Sequence, residues 1–469
     1  MGGAIMNFEQ KKNVGFRYVL DKLSPKSGFG AKALRYVSPY STKEKLNEEL
    51  KNLDIFVDAI KSNPNAFDGI NAILSHIKDI DGTFDRIGLD VSEVELFELK
   101  SYCSLCNALA REITAIFPTL CGIEILNLDK PFEILNLSNT SGFFLSDEHS
   151  QKLADIRKEK RFFAQKLSLS QGEEREKFRL LHLELSAREE EEEFRLRRQL
   201  SEQLLPFVKS MKHNARAVAR IDLLIQKSIL CCEENGIIPT IGSRFELEEA
   251  FNPHIASILK EKGKRFYGIT LSLDGVTVIT GANMGGKTVA LKTVALNAYC
   301  AICGFPVFAK RATLPFLDFV EILSEDLQSS ERGLSSFGGE VIKINELFAK
   351  AKKSKGLLLI DEFASGTNYE EGAKIFSALL QALKKTPSLS LLTTHFDGVC
   401  KDATARYQII GLTAEAKSRL KNQSVVDKKN IAEYMNYGLI KTDKLSEIPK
   451  DAIDICLILG MSKEIISLL

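Results

Sequence analysis

The octapeptide GANMGGKT, from Gly281 to Thr288, constrains this chain more than any other feature of its sequence. It satisfies G-x-x-x-x-G-K-[ST], directly after the apolar run GVTVIT and directly before the helix-forming run TVALKTVAL. A glycine-rich loop in that setting lets backbone N–H groups wrap a phosphate without Cβ obstruction, and the helix N-terminus adds positive potential. Strand, loop and returning helix are the unit of a parallel sheet. Asn283, Met284, Gly285, Gly286, Lys287, Thr288 and Val289 are therefore candidate nucleotide-binding residues. Lys287 is expected to reach the β and γ phosphates of ATP, and Thr288 to hold Mg²⁺ through its hydroxyl.

The C-terminal half continues the same alternation. Short β-rich runs (GVTVIT, GFPVFA, FVEIL, GLLLIDE, SLSLLTT, YQIIGL) are separated by helices starting at Lys287, Gly339 and Tyr369. This predicts an α/β domain with helices on the faces of a parallel-type sheet. Its second chemical signal is LLLIDE, a buried strand ending in Asp361 and Glu362. Adjacent carboxylates at a strand end can be a surface turn. Beside a phosphate loop, Asp361 is placed to orient Mg²⁺, and Glu362 to polarise the water that attacks the γ-phosphate. The next strand, SLSLLTTH, ends in Thr394 and His395, from which His395 can sense that phosphate.

Taken in order, ITGANMGGKT, SSFGGE, IDEFASGTNYEEG and TTHF resemble the ATPase domain of MutS proteins, dimeric relatives of the ABC-type ATPases. The resemblance covers the C-terminal half. It implies that Gln328, in SEDLQSS, is the loop glutamine that senses metal and water, and that Ser335 reaches the γ-phosphate of the opposing subunit. It places Gly366, Thr367 and Asn368 in a loop crossing the dimer interface, and Asn252–Pro253 in the turn before the ATP-site strands. The position of the family's adenine-stacking aromatic falls on Ile241. The partner implied is a second copy or a paralogue, bound through the ATPase domain.

Before residue 236 the pattern is helical. Residues 1–146 repeat apolar positions at three and four, as in Leu46, Leu50, Leu53 and Val57, which predicts an all-α core or lever. Residues 147–207 are dominated by charge; their sparse apolar stripes (Leu153, Ile156, Phe163, Leu167, then Phe178, Leu181, Leu185) flank SLSQGEE. Two antiparallel helices forming a short coiled-coil arm account for this, with Glu191–Arg195 and Glu193–Arg197 as i,i+4 pairs. Residues 208–235 return to the core, and 236–469 form the ATPase domain. SDEHSQKLADIRKEK and LSEQLLPFVKSMKHNARAVARIDLLIQKS resemble the outgoing and returning arms of the MutS family. The mismatch-reading domains have no room, and the clamp between the arms is reduced to SLSQGEE.

Composition bears on the client. Among 469 residues, 63 Lys+Arg face 62 Asp+Glu, so bulk charge cannot drive binding to a polyanion. Family likeness implies DNA, in mismatch repair or recombination. The neutral charge and shortened arm fit a second client, since small proteins of this build resemble ATPases that reactivate cobalamin-dependent lysine aminomutases, with DNA bound weakly and without sequence preference. No apolar run approaches the ~20 residues of a membrane span, and the first residues lack a signal peptide's apolar core, so the chain is expected in the cytoplasm. Nine scattered cysteines argue against a disulfide framework. The pairs Cys103/Cys106 and Cys300/Cys303 have metal-ligand spacing, yet both sit in helical, apolar sequence and read as buried thiols.

Overall fold

The structure, a computed structural model, describes residues 6–117, 119–136, 145, 147–281, 286–324, 336–396, 398–412, 435–442, 462 and 465. They fall into two compact units. One comprises Met1–Leu23, Val37–Ser62 and Gln226–Leu469; the other Ser24–Tyr36 and Asn63–Ile225.

Among its described residues the first unit holds ten strands: β1 Thr240–Gly242, β2 Phe245–Ala250, β3 Ile269–Leu273, β4 Val276–Thr280, β5 Arg311–Pro315, β6 Val320–Leu323, β7 Leu357–Ile360, β8 Leu389–Thr393, β9 Ala405–Leu412 and β10 Met435–Lys441. Six of them form one sheet in the order β10-β9-β4-β8-β7-β6, and four form a second in the order β1-β5-β2-β3. In the larger sheet every pairing is parallel except that of β9 with β10. β4 and β7 are buried at every position. A strand covered on both faces can bury every side chain, which is why VTVIT and LLLI read as unbroken apolar runs. Helix Lys287–Ile302 follows β4 and is apolar nearly all round, burying Leu291, Val294, Leu296 and Tyr299 among others. Helix Tyr369–Leu383 instead buries one stripe, with Phe376, Leu380 and Leu383 packed in one cluster with Val278, Leu358, Ile360 and Leu392.

GFPVFA forms no strand. It leaves helix Lys287–Ile302 through Gly304 at φ 69°, makes the isolated bridge Ile237–Val307, and accepts the Phe251 amide on the Phe308 carbonyl at 2.9 Å. Phe305, Val307 and Phe308 are nonetheless fully buried. The apolar run signalled burial, and Pro306 denied it ladder pairing.

This unit also takes in two N-terminal segments. Phe16 meets Tyr299 edge-on at a ring separation of 4.8 Å and Phe305 at 5.5 Å. Helix Lys43–Ser62 buries Glu49, whose carboxylate holds the Lys227 ammonium at 2.9 Å, with that ammonium 4.7 Å from the Phe305 ring centre. Removing one partner of so dry a pair leaves the other charge uncompensated, at a cost of about 3–5 kcal/mol.

The second unit is helical. Helix Glu93–Ile116 starts in a capping box of Ser92 and Glu95 and contributes Tyr102, whose ring packs edge-on against Phe29 and Phe84. The buried Asp222 carboxylate accepts bonds from the Lys26 and Ser27 amides and the Ser27 hydroxyl. Gly30 lies against it so closely that a Cβ would come within 2.2 Å of an Asp222 oxygen.

Residues 147–207 hold helices Gln151–Leu169 and Gly172–Leu204, reversing at Ser170–Gln171. Their antiparallel pairing buries Leu153, Ile156, Leu185 and Leu196, and sets Phe163 6.0 Å from Phe178. The expected i,i+4 pairs are replaced. Arg195 grips Glu192 one turn back at 2.5 Å, and Glu193 binds Arg157 across the hairpin at 2.8 Å. Arg157 also binds Glu189 at 2.9 Å, and Lys152 binds Glu192 at 2.9 Å. The second helix thus satisfies its charges both along itself, as in Arg195–Glu192, and against the first helix, through Arg157, Lys160 and Lys152.

Glu192 is the centre of that network, and the Arg195 guanidinium, with Lys152 and Ser150 behind it, lowers its carboxyl to about 2. A depressed carboxyl stabilises the fold above its unfolded value and loses that contribution as pH falls through the folded one. The melting temperature of the wild type should therefore drop more than that of Glu192→Gln between pH 5 and pH 2. Parallel melting curves of the two proteins across that range check this.

Both C-x-x-C pairs are buried among helix side chains. Burial pushes the Cys106 and Cys303 thiols up to about 12, which keeps them protonated at neutral pH. Among the described residues no group of three or more His, Cys, Asp or Glu is gathered to hold a metal, and no helix is long and apolar enough to cross a membrane.

Candidate nucleotide site

The parallel strands β4, β7 and β8 end side by side, and their last residues carry the chemistry. β4 runs into Gly281 at φ 143°, and Gly286, at φ 85°, caps helix Lys287–Ile302. Glycine is needed at 286 for two reasons. The backbone is left-handed, and a Cβ there would stand 3.1 Å from the Tyr437 ring. Asn283, Met284 and Gly285 lie outside the described residues, as do Gln328 and Ser335.

Lys287 begins the helix, and its ammonium is almost wholly buried. It donates to the Gly281 carbonyl at 2.9 Å and pairs with the Glu362 carboxylate at 2.9 Å. The next residue, Thr288, donates its hydroxyl proton to Asp361 Oδ2 at 2.7 Å. Asp361 leaves the end of β7, held by its amide to the Leu323 carbonyl at 2.8 Å. Burial raises its carboxyl, while the Thr393 and Thr288 hydroxyls act the other way. A hydroxyl and a carboxylate, both hard oxygen donors, suit Mg²⁺, which takes one or two protein ligands and completes its shell with phosphates and water.

Glu362 sits at φ 43°, left-handed for a residue with a Cβ. Such backbone costs about 1–3 kcal/mol and persists only where its surroundings hold it. Here the Glu362 amide donates to Thr393 Oγ1 at 3.0 Å, and the next turn is held by the Ala364 amide on the buried Glu340 carboxylate at 3.2 Å. His395 follows β8; its Nδ1 lies 3.9 Å from Glu362 Oε2 and its ring centre 4.5 Å from that of Phe396. Lys287, Thr288, Asp361, Glu362 and His395 thus converge. Of the loop behind the carboxylates, Asn368 caps helix Tyr369–Leu383 by accepting the Glu370 amide. Asn252 does likewise for helix Pro253–Glu261, and also binds the Val14 carbonyl at 2.9 Å.

Beside Gly286 opens a cavity of 440 Å³ lined by Ile255, Phe266, Tyr267, Val289 and Tyr437 among others. The Tyr267 and Tyr437 rings stand 6.1 Å apart. Ile241 is not part of it. That residue lies on β1, paired with Leu314 in the smaller sheet. Thr393, Glu340, Phe266, Tyr267 and Tyr437 all escape a reading of the sequence. Thr393 and Glu340 carried a local signal, as the first residue of TTHF and the last of SSFGGE.

A buried lysine on a glycine loop, with a threonine bonded to the aspartate that ends the next parallel strand but one, defines the P-loop nucleotide-binding class. Residues 277–457 match the family described as MutS domain V. The chain is similar to the protein named Endonuclease MutS2 from Thermus thermophilus, 35% identical over 201 residues, which is 42% of this chain and 26% of that relative. It is likewise similar to those from Thermotoga neapolitana, 34% over 208 residues (43% and 26%), and Lactococcus lactis subsp. cremoris, 30% over 222 residues (46% and 28%). The match thus spans about a quarter of each of these relatives. Over this segment the chain matches a MutS-type domain and is similar to MutS2 proteins.

Proposed function

We propose that the chain binds and hydrolyses ATP with Mg²⁺, and couples turnover to motion of a helical arm on a macromolecular client. The observation that carries this is the convergence of Lys287, Thr288, Asp361 and Glu362 at the ends of β4 and β7. Lys287 binds the β and γ phosphates, and the cavity beside Gly286 receives the base against its aromatic lining. Thr288 and Asp361 hold Mg²⁺, which supplies positive charge against the phosphate oxygens. Glu362 takes the proton of the attacking water, and His395 and Gln328 sense the terminal phosphate. Ser335 completes the site of a second subunit, a copy of this chain or a paralogue. Residues 1–146 and 208–235 serve as core and lever, 147–207 as a coiled-coil arm, and 236–469 as the ATPase domain, acting in the cytoplasm. ATP turnover that is absent in the purified wild type would overturn the catalytic part of this reading.

For the client, the relatives' name carries nucleic-acid chemistry, and DNA maintenance is the first reading. One observation favours the second reading, a reactivase acting on a cobalamin-dependent aminomutase. Lys152, Arg157, Lys160, Arg161, Arg179 and Arg195 are all ion-paired within the hairpin. Cations already neutralised release few counterions from DNA. Binding to duplex should therefore be weak, about 10⁻⁴–10⁻⁶ M at physiological salt, with little preference for mismatched or branched forms. Gel-shift titrations with matched, mismatched and branched DNA check it. Tight, structure-selective binding would return the chain to DNA maintenance, whereas stimulation of turnover by an aminomutase would support the second reading.

A further inference from the structure

We propose that Thr393, the first residue of TTHF but one to which the motif reading gave no role, is a positioning residue that sets both catalytic carboxylates at once. The proposal rests on the ATPase reading of the site. Thr393 is the last residue of β8 and is fully buried. Its place is fixed by the sheet, where it stands opposite Ile279 of β4, and the following amide binds the Ile279 carbonyl at 3.2 Å.

Its hydroxyl makes two bonds of opposite sense. It donates to Asp361 Oδ1 at 2.5 Å and accepts the Glu362 amide at 3.0 Å. One proton is thereby committed to Asp361, and the lone pairs are left to face Glu362. The first bond, together with Thr288 on the other oxygen, gives each Asp361 oxygen a single donor and fixes the rotation of the carboxylate. The second bond holds the Glu362 backbone at φ 43°, a conformation that its own Cβ disfavours. The Glu362 side chain, aimed at Lys287 and His395, starts from that backbone. Thr394 plays no such part, since its hydroxyl accepts the amide of Phe396 at 3.0 Å and closes the turn. A single hydroxyl therefore couples the metal-side aspartate to the base-side glutamate.

The test uses the full-length chain with Thr393→Val, which keeps the branched shape and loses the hydroxyl, and Thr393→Ser, which keeps the hydroxyl. Thr393→Val should lower kcat by about 100-fold, the scale of a catalytic group displaced by about 1 Å, with KM changed far less. Binding of a fluorescent ADP analogue without Mg²⁺ should stay near wild type. The Mg²⁺ concentration needed to tighten that binding should rise about tenfold, as for loss of a hydrogen bond to a metal ligand. Thr393→Ser should restore both. Wild-type kcat and Mg²⁺ dependence in Thr393→Val would overturn the inference, as would equal losses in Mg²⁺-free binding and kcat, or failure of serine to rescue. If the wild type binds nucleotide but does not hydrolyse it, the hydrolysis reading fails alone, and the Mg²⁺ titration still decides Thr393. A wild type that binds no nucleotide overturns both.

Discussion

Lys287→Ala should weaken nucleotide binding by at least about 100-fold, which corresponds to about 2.7 kcal/mol. The figure follows from what the ammonium does. It is buried at the N-terminus of helix Lys287–Ile302, close to the Gly281 carbonyl and paired with Glu362. A charge-assisted hydrogen bond is worth about 1.5–3 kcal/mol, and phosphates lacking this cation would lose at least one. Some of the loss is conformational, because alanine also leaves Glu362 without its counter-ion. Lys287→Met shares that loss of the counter-ion but keeps the packing of the side chain, so the difference between the two variants separates packing from charge. Both variants should bind a fluorescent nucleotide poorly while melting within a few degrees of wild type. Wild-type affinity in either would mean that the loop from Gly281 to Thr288 does not hold phosphate.

What the sequence discloses of this site is what lies close together along the chain. Gly286, Lys287 and Thr288 are contiguous, and Asp361 and Glu362 end one apolar run, so their placement at the same end of the sheet, on either side of β8, follows from local pattern and parallel pairing. Thr393, Glu340 and Tyr437 come from other strands and helices, and nothing in TTHF, SSFGGE or MNYGL alone says which atom they will meet. β2 was hidden in a different way. FELEEA alternates buried Phe245, Leu247 and Ala250 with charged positions, and a strand with one wet face lacks the solid apolar run that revealed β4 and β7. The helical stripe of Lys43–Ser62 showed that Leu46, Leu50 and Leu53 would be buried, yet a stripe carries no record of its partner. The sequence-adjacent view grouped this helix with the rest of the first 146 residues, while its packing groups it with Gln226–Leu469. In the arm the same logic favoured pairs along one helix. Arg157 of the first helix, which lies within reach across the turn, took Glu193 and Glu189 instead.

Glu362→Gln should slow hydrolysis by at least about 100-fold, the usual scale for losing a positioned base. The substitution keeps length and shape, and it leaves the bond from the residue 362 amide to Thr393 untouched, so the strained backbone that aims the side chain is preserved. What it removes is the ability to accept a proton and the negative charge beside Lys287. The second loss has its own consequence. In this structure the Lys287 ammonium is shared with Glu362 at 2.9 Å, and a phosphate that reaches it must compete with that carboxylate. An amide competes far less, so nucleotide should bind at least as tightly as in the wild type even though turnover has nearly stopped. The pairing of slow chemistry with retained or tighter binding sets this variant apart from Lys287→Ala, which loses both. Single-turnover hydrolysis and nucleotide titration on the same preparation measure the two quantities. Equal turnover in wild type and Glu362→Gln would remove Glu362 as the base, and weakened binding would mean that its carboxylate serves mainly to hold Lys287 in place.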